Sequence, residues 1–524
     1  MLTPAHSLKR LATPVDGAFL AVFRICTGAS FFFCFLSSLQ NGWVERFYVH
    51  PQFHLKYYGF FWVEPLPGEW MRPFCYGLLV ASAAVTVGFF YRVASVLLAI
   101  GYTYVFLLDK SLYQNHYYLL VLTSWMLTVL PAGRLLSIDS LFSRTVVRAV
   151  PAWQLWLVRF QVGLPYFFGG VAKVNTDWIH GQPIRMKLAN STWYPVIGGF
   201  FTEEWCVQIF VWGGMLFDLL VVPFLLWKPT RVYAYLTALC FHLLNATLFN
   251  IGVFPWFMIF ATTVFFDPSW SRILSLKRAA VVPPSEHLPL HGRSFIPWLA
   301  GTYVVVQVLL PWRHYLYEGN VNWTEKGHYF AWHMKLRDKK SICKFRWRDR
   351  SSNRAGEVNI LDYITPEQAS HATADPEMIV QLGRLLSSKL QSEQHGNYEV
   401  FALNITSLNG RKPEPIVNPN LNLAAVPATF FLPSSVYTPL TEPLRPMKPW
   451  RVPRLQWTDH LEIPDREFWL GPQNGPAARN HQTRTALALP GEHNEVSIAV
   501  RNPASSSSLI AEADERQATG RRSP

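Results

Sequence analysis

Lys173 stands at the end of an apolar stretch, WQLWLVRFQVGLPYFFGGVAKVNTDW, that is otherwise suited to crossing a bilayer. Insertion scales put a lysine at membrane depth at a cost of about 2.5–3.5 kcal/mol, so one that persists usually faces a protein interior, a water cavity or an active site. Helical offsets of three, four and seven residues bring Gly170, Gly169 and Tyr166 onto the face that carries Lys173. The glycines leave space beside the amine, Tyr166 adds a hydroxyl and a ring, and Pro165 is expected to open the helix nearby. A simpler account competes, in which Lys173 snorkels to the interface with help from Asn175, Asp177 and Trp178.

Other polar groups recur in apolar surroundings. YQNHYY puts Asn115 and His116 at a membrane boundary among tyrosines, and an aromatic belt accounts for the tyrosines alone. In CFHLLNATLFN, His242 and Asn245 share a helix face and need partners in lipid, which a structural interhelical hydrogen bond would provide. Asp218, inside GGMLFDLLVV, must pair or be protonated, and Arg159 is its expected partner, the two together holding the bundle around the site. No GxSxG, HExxH, P-loop or dinucleotide fingerprint accompanies these groups, so hydrolase, zinc and nucleotide chemistry have no support. The six cysteines lack metal-ligand spacing and read as small apolar fillers; a Cys75–Cys343 disulfide is not expected.

These residues require a membrane scaffold. Half of the 524 residues are hydrophobic and only 15% are charged, too apolar for an ordinary soluble chain of this length. Candidate spans lie near 17–39, 73–91, 94–109, 116–132, 153–173, 205–227, 232–250, 253–267 and 295–312. The expected fold is a multi-pass α-helical membrane protein with eight or nine transmembrane helices, the short segments 94–109 and 253–267 being tilted, broken or re-entrant. With the first span read as a retained anchor and the N-terminus cytoplasmic, Arg92, Arg134, Arg144, Arg148, Lys228, Arg231, Arg272, Lys277, Arg278 and Arg293 fall inside. Lys173 and everything after the last span then face the lumen or exterior. The net charge of +13 reads as topology and anionic-lipid contact, and no nucleic-acid motif accompanies it.

The chain divides into three regions: a membrane domain over 1–312, a small exterior α+β domain over 313–473, and a polar tail over 474–524 expected to be disordered. Within the second, YFAWHMKL, SICKFRWRD, GEVNIL and YEVFALNITSL have strand-like patterns, and residues 376–391 repeat apolar positions at helical spacing. From about residue 433 the chain is Pro-rich and irregular. Glycosylation sequons occur at Asn322 and Asn404, as such matches often do by chance.

Taken in order, YQNHYY, LVRFQVGLPYFFGGVAKVNTDWIHG, GGMLFDLL, FHLLNATLFNIGVFPWFMI, DPSW and NWTEKGHYFAW resemble the vitamin K-dependent gamma-glutamyl carboxylases and their HTTM-domain bacterial relatives, over roughly residues 15–430. The resemblance implies an enzyme that oxygenates reduced vitamin K (the hydroquinone) to its epoxide with O2. The strong base formed would abstract a γ-proton from glutamate in a protein or peptide substrate, and the carbanion would capture CO2. It implies no metal or nucleotide. Lys173 matches the family's catalytic base and His116 an active-site histidine expected to act as its catalytic partner, with Asn115, His242 and Asn245 matched on the quinone and substrate side, where Tyr166 joins them from its place on the Lys173 face. A lysine acting this way needs a neutral amine, which desolvation favours. The chain departs from the family where Ala172 precedes Lys173 in place of a second lysine, and where His328 falls near a functional tyrosine of the animal enzymes. The shorter exterior domain implies a different or simpler substrate and points to a bacterial membrane; a eukaryotic chain would sit in the endoplasmic reticulum. A quinone epoxidase without carboxylation is the variant reading. A transporter or lipid-binding protein is the reading from another class, though no matching pair of broken helices supports it.

Overall fold

The computed structural model describes residues 10–143, 149–249, 251–270, 295–394, 396–430, 432–463 and 465–470. Among the described residues, nine apolar helices build the first part: α1 (Ala18–Gln40), α2 (Gly68–Val87), α3 (Tyr91–Leu108), α4 (Asn115–Val129), α5 (Ala152–Lys173), α6 (Glu204–Leu226), α7 (Arg231–Leu248), α8 (Phe254–Ala261) and α9 (Phe295–Leu309). Each coincides with one of the nine expected segments. Five of them, α1, α2, α3, α6 and α9 with its 3-10 continuation to Leu316, are long and apolar enough to cross a membrane. The expectation of eight or nine full spans is therefore met only in part. α4 has 15 residues and α8 only 8, each too short for ~30 Å of hydrocarbon at 1.5 Å per residue. α5 is long enough, but Arg159, its glutamines and Lys173 dilute its hydropathy.

The bundle satisfies its loose backbone ends with two arginines, the buried Arg24 and the half-buried Arg159. Arg24 of α1 donates to the carbonyls of Ala132, Leu135 and Leu136, at the turn that follows α4. Arg159 does the same for Val264, Phe265 and Phe266, at 3.0, 3.4 and 3.1 Å. The expected Arg159–Asp218 pair does not form, because the carbonyls left open where α8 tightens into a 3-10 turn already take the guanidinium. α9, the least buried of the candidate spans, is tied on by polar contacts, Tyr303 to Gln161 of α5 and Gln307 to Tyr118 of α4.

The extramembrane domain has a four-stranded antiparallel sheet in the order β2–β1–β3–β4, with β1 (Lys339–Asp349), β2 (Ala355–Val358), β3 (Tyr398–Leu408) and β4 (Glu414–Pro415). Phe345 pairs with Ala402 at its centre. Helix α10 (Pro376–Gln394) covers one face, where Leu382, Leu386 and Leu390 join Val400 and Ala402 in one core. Residues on alternate positions point the other way, and Phe401, Leu403 and Ile405 pack against Trp457, Ile463 and Trp469. The Pro-rich segment after residue 433 thus folds back as an irregular cover for the sheet. β3 is buried on both faces, which fits the consecutive apolar residues Val400–Leu403 at its centre. YFAWHMKL is not a strand: positive φ angles at Phe330, Trp332 and Lys335 bend it into a loop. Both sequons are closed, since Asn322 is buried and the fully buried Asn404 donates to the Thr373 carbonyl at 2.6 Å. All six cysteines are free. The expected disordered tail and the basic residues Arg144, Arg148, Arg272, Lys277, Arg278 and Arg293 lie outside the described residues.

The domain is docked on the bundle by buried polar contacts. Lys110 Nζ meets Glu377 at 2.6 Å and Asp375 at 3.6 Å, and Gln368 Nε2 donates to Asp109 Oδ2 at 2.6 Å. Gln381 exchanges hydrogen bonds of 2.9 Å with both backbone groups of Lys56.

Candidate active site at the domain-facing end of the bundle

α5 runs unbroken through Pro165 to Lys173, so the expected opening of the helix does not occur. Lys173 is buried and does not snorkel. Its Nζ donates to Asp218 Oδ2 of α6 and to the Gly169 carbonyl at 3.3 Å, and it lies 5.2 Å from the centre of the Trp178 ring. Asn175 Oδ1 caps the turn by accepting from Trp178 N–H, and Trp178 Nε1 donates to the Val211 carbonyl of α6. The NTDW segment therefore folds a ring back beneath the amine and clamps α5 to α6.

The two glycines do different things. A Cβ on Gly170 would sit 2.8 Å from Leu219 Cγ and 2.9 Å from its backbone nitrogen, so glycine permits the close approach of the two helices. A Cβ on Gly169 would lie 2.9 Å from Met334 Cε and 3.3 Å from Asp218 Oδ2. That glycine leaves room for the charge pair and for a methionine that comes from the extramembrane domain.

One turn below, the Tyr166 hydroxyl bonds His242 Nε2 at 2.5 Å and Thr262 Oγ1 at 3.1 Å. His242 Nδ1 is buried without a hydrogen-bond partner among the described residues. A buried polar atom left open in this way is costly unless a ligand or water meets it. Phe254 links the two histidines, with ring centres 6.1 Å from His242 and 6.0 Å from His116. His116 thus belongs to the aromatic wall on α4, and among the described residues it makes no hydrogen bond with Lys173. Asn245 is half-buried on the His242 face. The Asn115 amide is taken by protein groups, accepting from the Tyr113 hydroxyl at 3.0 Å and donating to the His333 carbonyl at 2.9 Å.

The loop over residues 328–337 closes this end. A left-handed conformation at a non-glycine residue costs of order 1–3 kcal/mol and persists only when surroundings impose it; Phe330, Trp332 and Lys335 all adopt one. The loop and Lys187 line a cavity of about 210 Å³, its wall formed by Lys187, His328, His333, Lys335, Leu336 and Arg337. Arg337 contacts His328 and pairs with Glu325 at 2.9 Å, while Lys339 Nζ meets the other Glu325 oxygen at 2.5 Å. Burial, reinforced by Arg337 and His333, holds the His328 imidazole well below its usual range. Burial, with His314 and Arg337 nearby, pushes His333 down to about 3. Both rings are therefore neutral near pH 7, and the cavity's positive charge comes from Lys187, Lys335 and Arg337. Next to His328, Tyr329 donates to Asp375 at 2.5 Å under the Lys110 ammonium.

Sequence reasoning found Lys173, Asp218, Tyr166 and His242, though it matched Asp218 to the wrong cation. It missed Thr262, Met334 and most of the basic cavity, and it read Tyr113 as part of an aromatic belt. The run HYFAWHMKLR carries two histidines and two cations in ten residues, a signal hidden by its strand-like alternation.

A helical membrane bundle with a buried amine–carboxylate pair, capped by an extramembrane sheet domain, defines a membrane-embedded protein with an enclosed polar site. The family model of the HTTM domain matches residues 12–270, and that of the vitamin K-dependent gamma-carboxylase lumenal domain matches residues 293–442. With both halves matched in order along one chain, the protein belongs to the vitamin K-dependent gamma-carboxylase family. No solved structure matches it.

Proposed function

We propose that this protein oxygenates a reduced naphthoquinone of the vitamin K type and couples that step to carboxylation of glutamate in a protein or peptide. The observation that carries the reading is the buried Lys173–Asp218 pair. Phe254, Tyr166 and His242, with its open Nδ1, offer an aromatic wall and an unmet polar atom that suit a hydroxylated aromatic ring. The bound hydroquinone supplies, with O2, the strong base that removes a glutamate γ-proton. Asp218 Oδ2 takes the proton that the Lys173 ammonium sheds, the neutral Nζ then takes a proton from a quinol hydroxyl, and release of the proton from the Asp218 acid restores the ion pair. Trp178, Met334 and the 328–337 loop exclude water, which protects a strong base from quenching.

The cavity lined by Lys187, Lys335 and Arg337 suits the glutamate carboxylate. Adding CO2 turns one carboxylate into two, so clustered cations favour the product-like state. That feature supports carboxylation over epoxidation alone. We place the N-terminus in the cytoplasm and the sheet domain on the lumenal or outer side, in the endoplasmic reticulum of a eukaryote or the cytoplasmic membrane of a bacterium.

The test supplies purified protein with hydroquinone, O2, labelled CO2 and a glutamyl peptide. Label in the peptide and epoxide in the quinone, both lost in Lys173→Ala, are expected. Epoxide without label establishes the uncoupled epoxidase instead, and absence of any Lys173-dependent product removes the enzymatic reading in favour of a transporter or lipid-binding role.

A further inference from the structure

We infer that Tyr113 is a positioning residue which, through Asn115, holds the 328–337 loop closed over the Lys173–Asp218 pair. Four observations converge on it. Its hydroxyl oxygen accepts the Phe330 N–H at 2.8 Å, and its proton goes to Asn115 Oδ1 at 3.0 Å. Asn115 Nδ2 then donates to the His333 carbonyl at 2.9 Å, so one side-chain relay from the start of α4 grips the loop at two points three residues apart. The Tyr113 ring packs on Tyr329 and Phe330, with centres 4.9 and 5.4 Å apart. Phe330 at the first grip and Trp332 between the two are in the left-handed backbone conformation that such external contacts must sustain.

The relay bears on the chemistry through the residues next along the chain. Met334 comes directly after the gripped His333 and seats its Cε against Gly169, beside the Asp218 carboxylate. Lys335 and Arg337, just beyond, line the basic cavity. The membrane half of the site, which handles the quinol, and the loop half, which faces the peptide, are thereby registered by two side chains whose hydrogen bonds run to each other and to the loop backbone. Losing the Tyr113 hydroxyl leaves the Lys173–Asp218 pair intact and lets the loop drift, so proton abstraction from glutamate falls out of step with quinol oxidation.

The consequence for turnover rests on the proposed function; the grip itself does not. The experiment compares the full-length protein in detergent or nanodiscs with Tyr113→Phe, which keeps the ring and loses the hydroxyl, and Tyr113→Leu, which loses both. Hydrogen exchange at Phe330 and through residues 328–337 is expected to rise at least tenfold in both variants, with exchange in α5 unchanged. In the same samples the peptide KM is expected to rise and the ratio of carboxylated peptide to quinone epoxide to fall at least fivefold, while the epoxide kcat stays within twofold. Loop exchange unchanged within twofold overturns the inference. A proportional loss of both products also overturns it, since that marks a general loss of folded protein. If the wild type forms no Lys173-dependent product, the functional reading fails, and the exchange data still decide the grip.

Discussion

Asp177, four residues beyond Lys173, gives its carboxylate to Arg411 of the extramembrane domain, with both guanidinium nitrogens at 2.7 Å and Asn409 Nδ2 also at 2.7 Å. The anion that the sequence offers Lys173 at the membrane surface is therefore already bound, and the amine turns inward to Asp218. A bidentate, buried pair at a domain junction is strongly destabilised when one partner is removed, by about 3–5 kcal/mol. Arg411→Ala is expected to loosen the domain and speed proteolysis between the last span and β1, while Arg411→Lys restores only part of the resistance.

The Lys173–Asp218 pair makes a second prediction. Lys173→Ala leaves a carboxylate stranded in the bundle and is expected to lower the unfolding temperature more than Lys173→Met combined with Asp218→Leu, although all abolish turnover. Thermal melts of the detergent-solubilised variants check this, since removing both members of a buried pair is often neutral.

The neighbouring glycines separate packing from chemistry. Gly170→Ala drives a methyl into the Leu219 backbone and is expected to cost about 1–3 kcal/mol by spreading α5 and α6. Gly169→Ala meets the flexible end of Met334 and is expected to leave the melt nearly unchanged while reducing turnover. Melting curves and initial rates on the same preparations distinguish the two.

Loop closure is expected to weaken in acid. His328 and His333 are held below their usual range by burial, so the closed state stays neutral while the open state takes up protons. Their stabilisation is complete above the unfolded histidine value near 6.5 and is lost as pH falls toward about 3 for His333. In that window His333 removes about 1.4 kcal/mol of closure per pH unit, and His328 acts in the same direction. Hydrogen-exchange protection of residues 328–337, taken relative to the intrinsic rate at each pH, is expected to fall as pH drops from 7 to 5, and His333→Gln to flatten the slope.

Tyr166→Phe is expected to free His242 from its fixed orientation, raising the quinol KM several-fold with a stability loss of about 1–3 kcal/mol from the buried histidine nitrogen. Quinol titrations and melts test both parts.

Apolar runs, the helical spacing of Tyr166, Gly169, Gly170 and Lys173, and the implausibility of a stranded Asp218 were legible from local chemistry, because burial and period act over a few residues. The helix positions are legible for the same reason, and so is the amphipathic α10. Pairing was not legible. Arg159 and Lys173 are equally charged on paper, and only the tertiary fold puts open carbonyls beside the first and a carboxylate beside the second. The same holds for YFAWHMKL, whose alternation fits a strand until the Tyr113–Asn115 relay and the bundle surface bend it into the loop that closes the site. Sequence alone determined that a costly charge lies in an apolar helix; tertiary structure decided its partner, because desolvation is a local property and ion pairing is not.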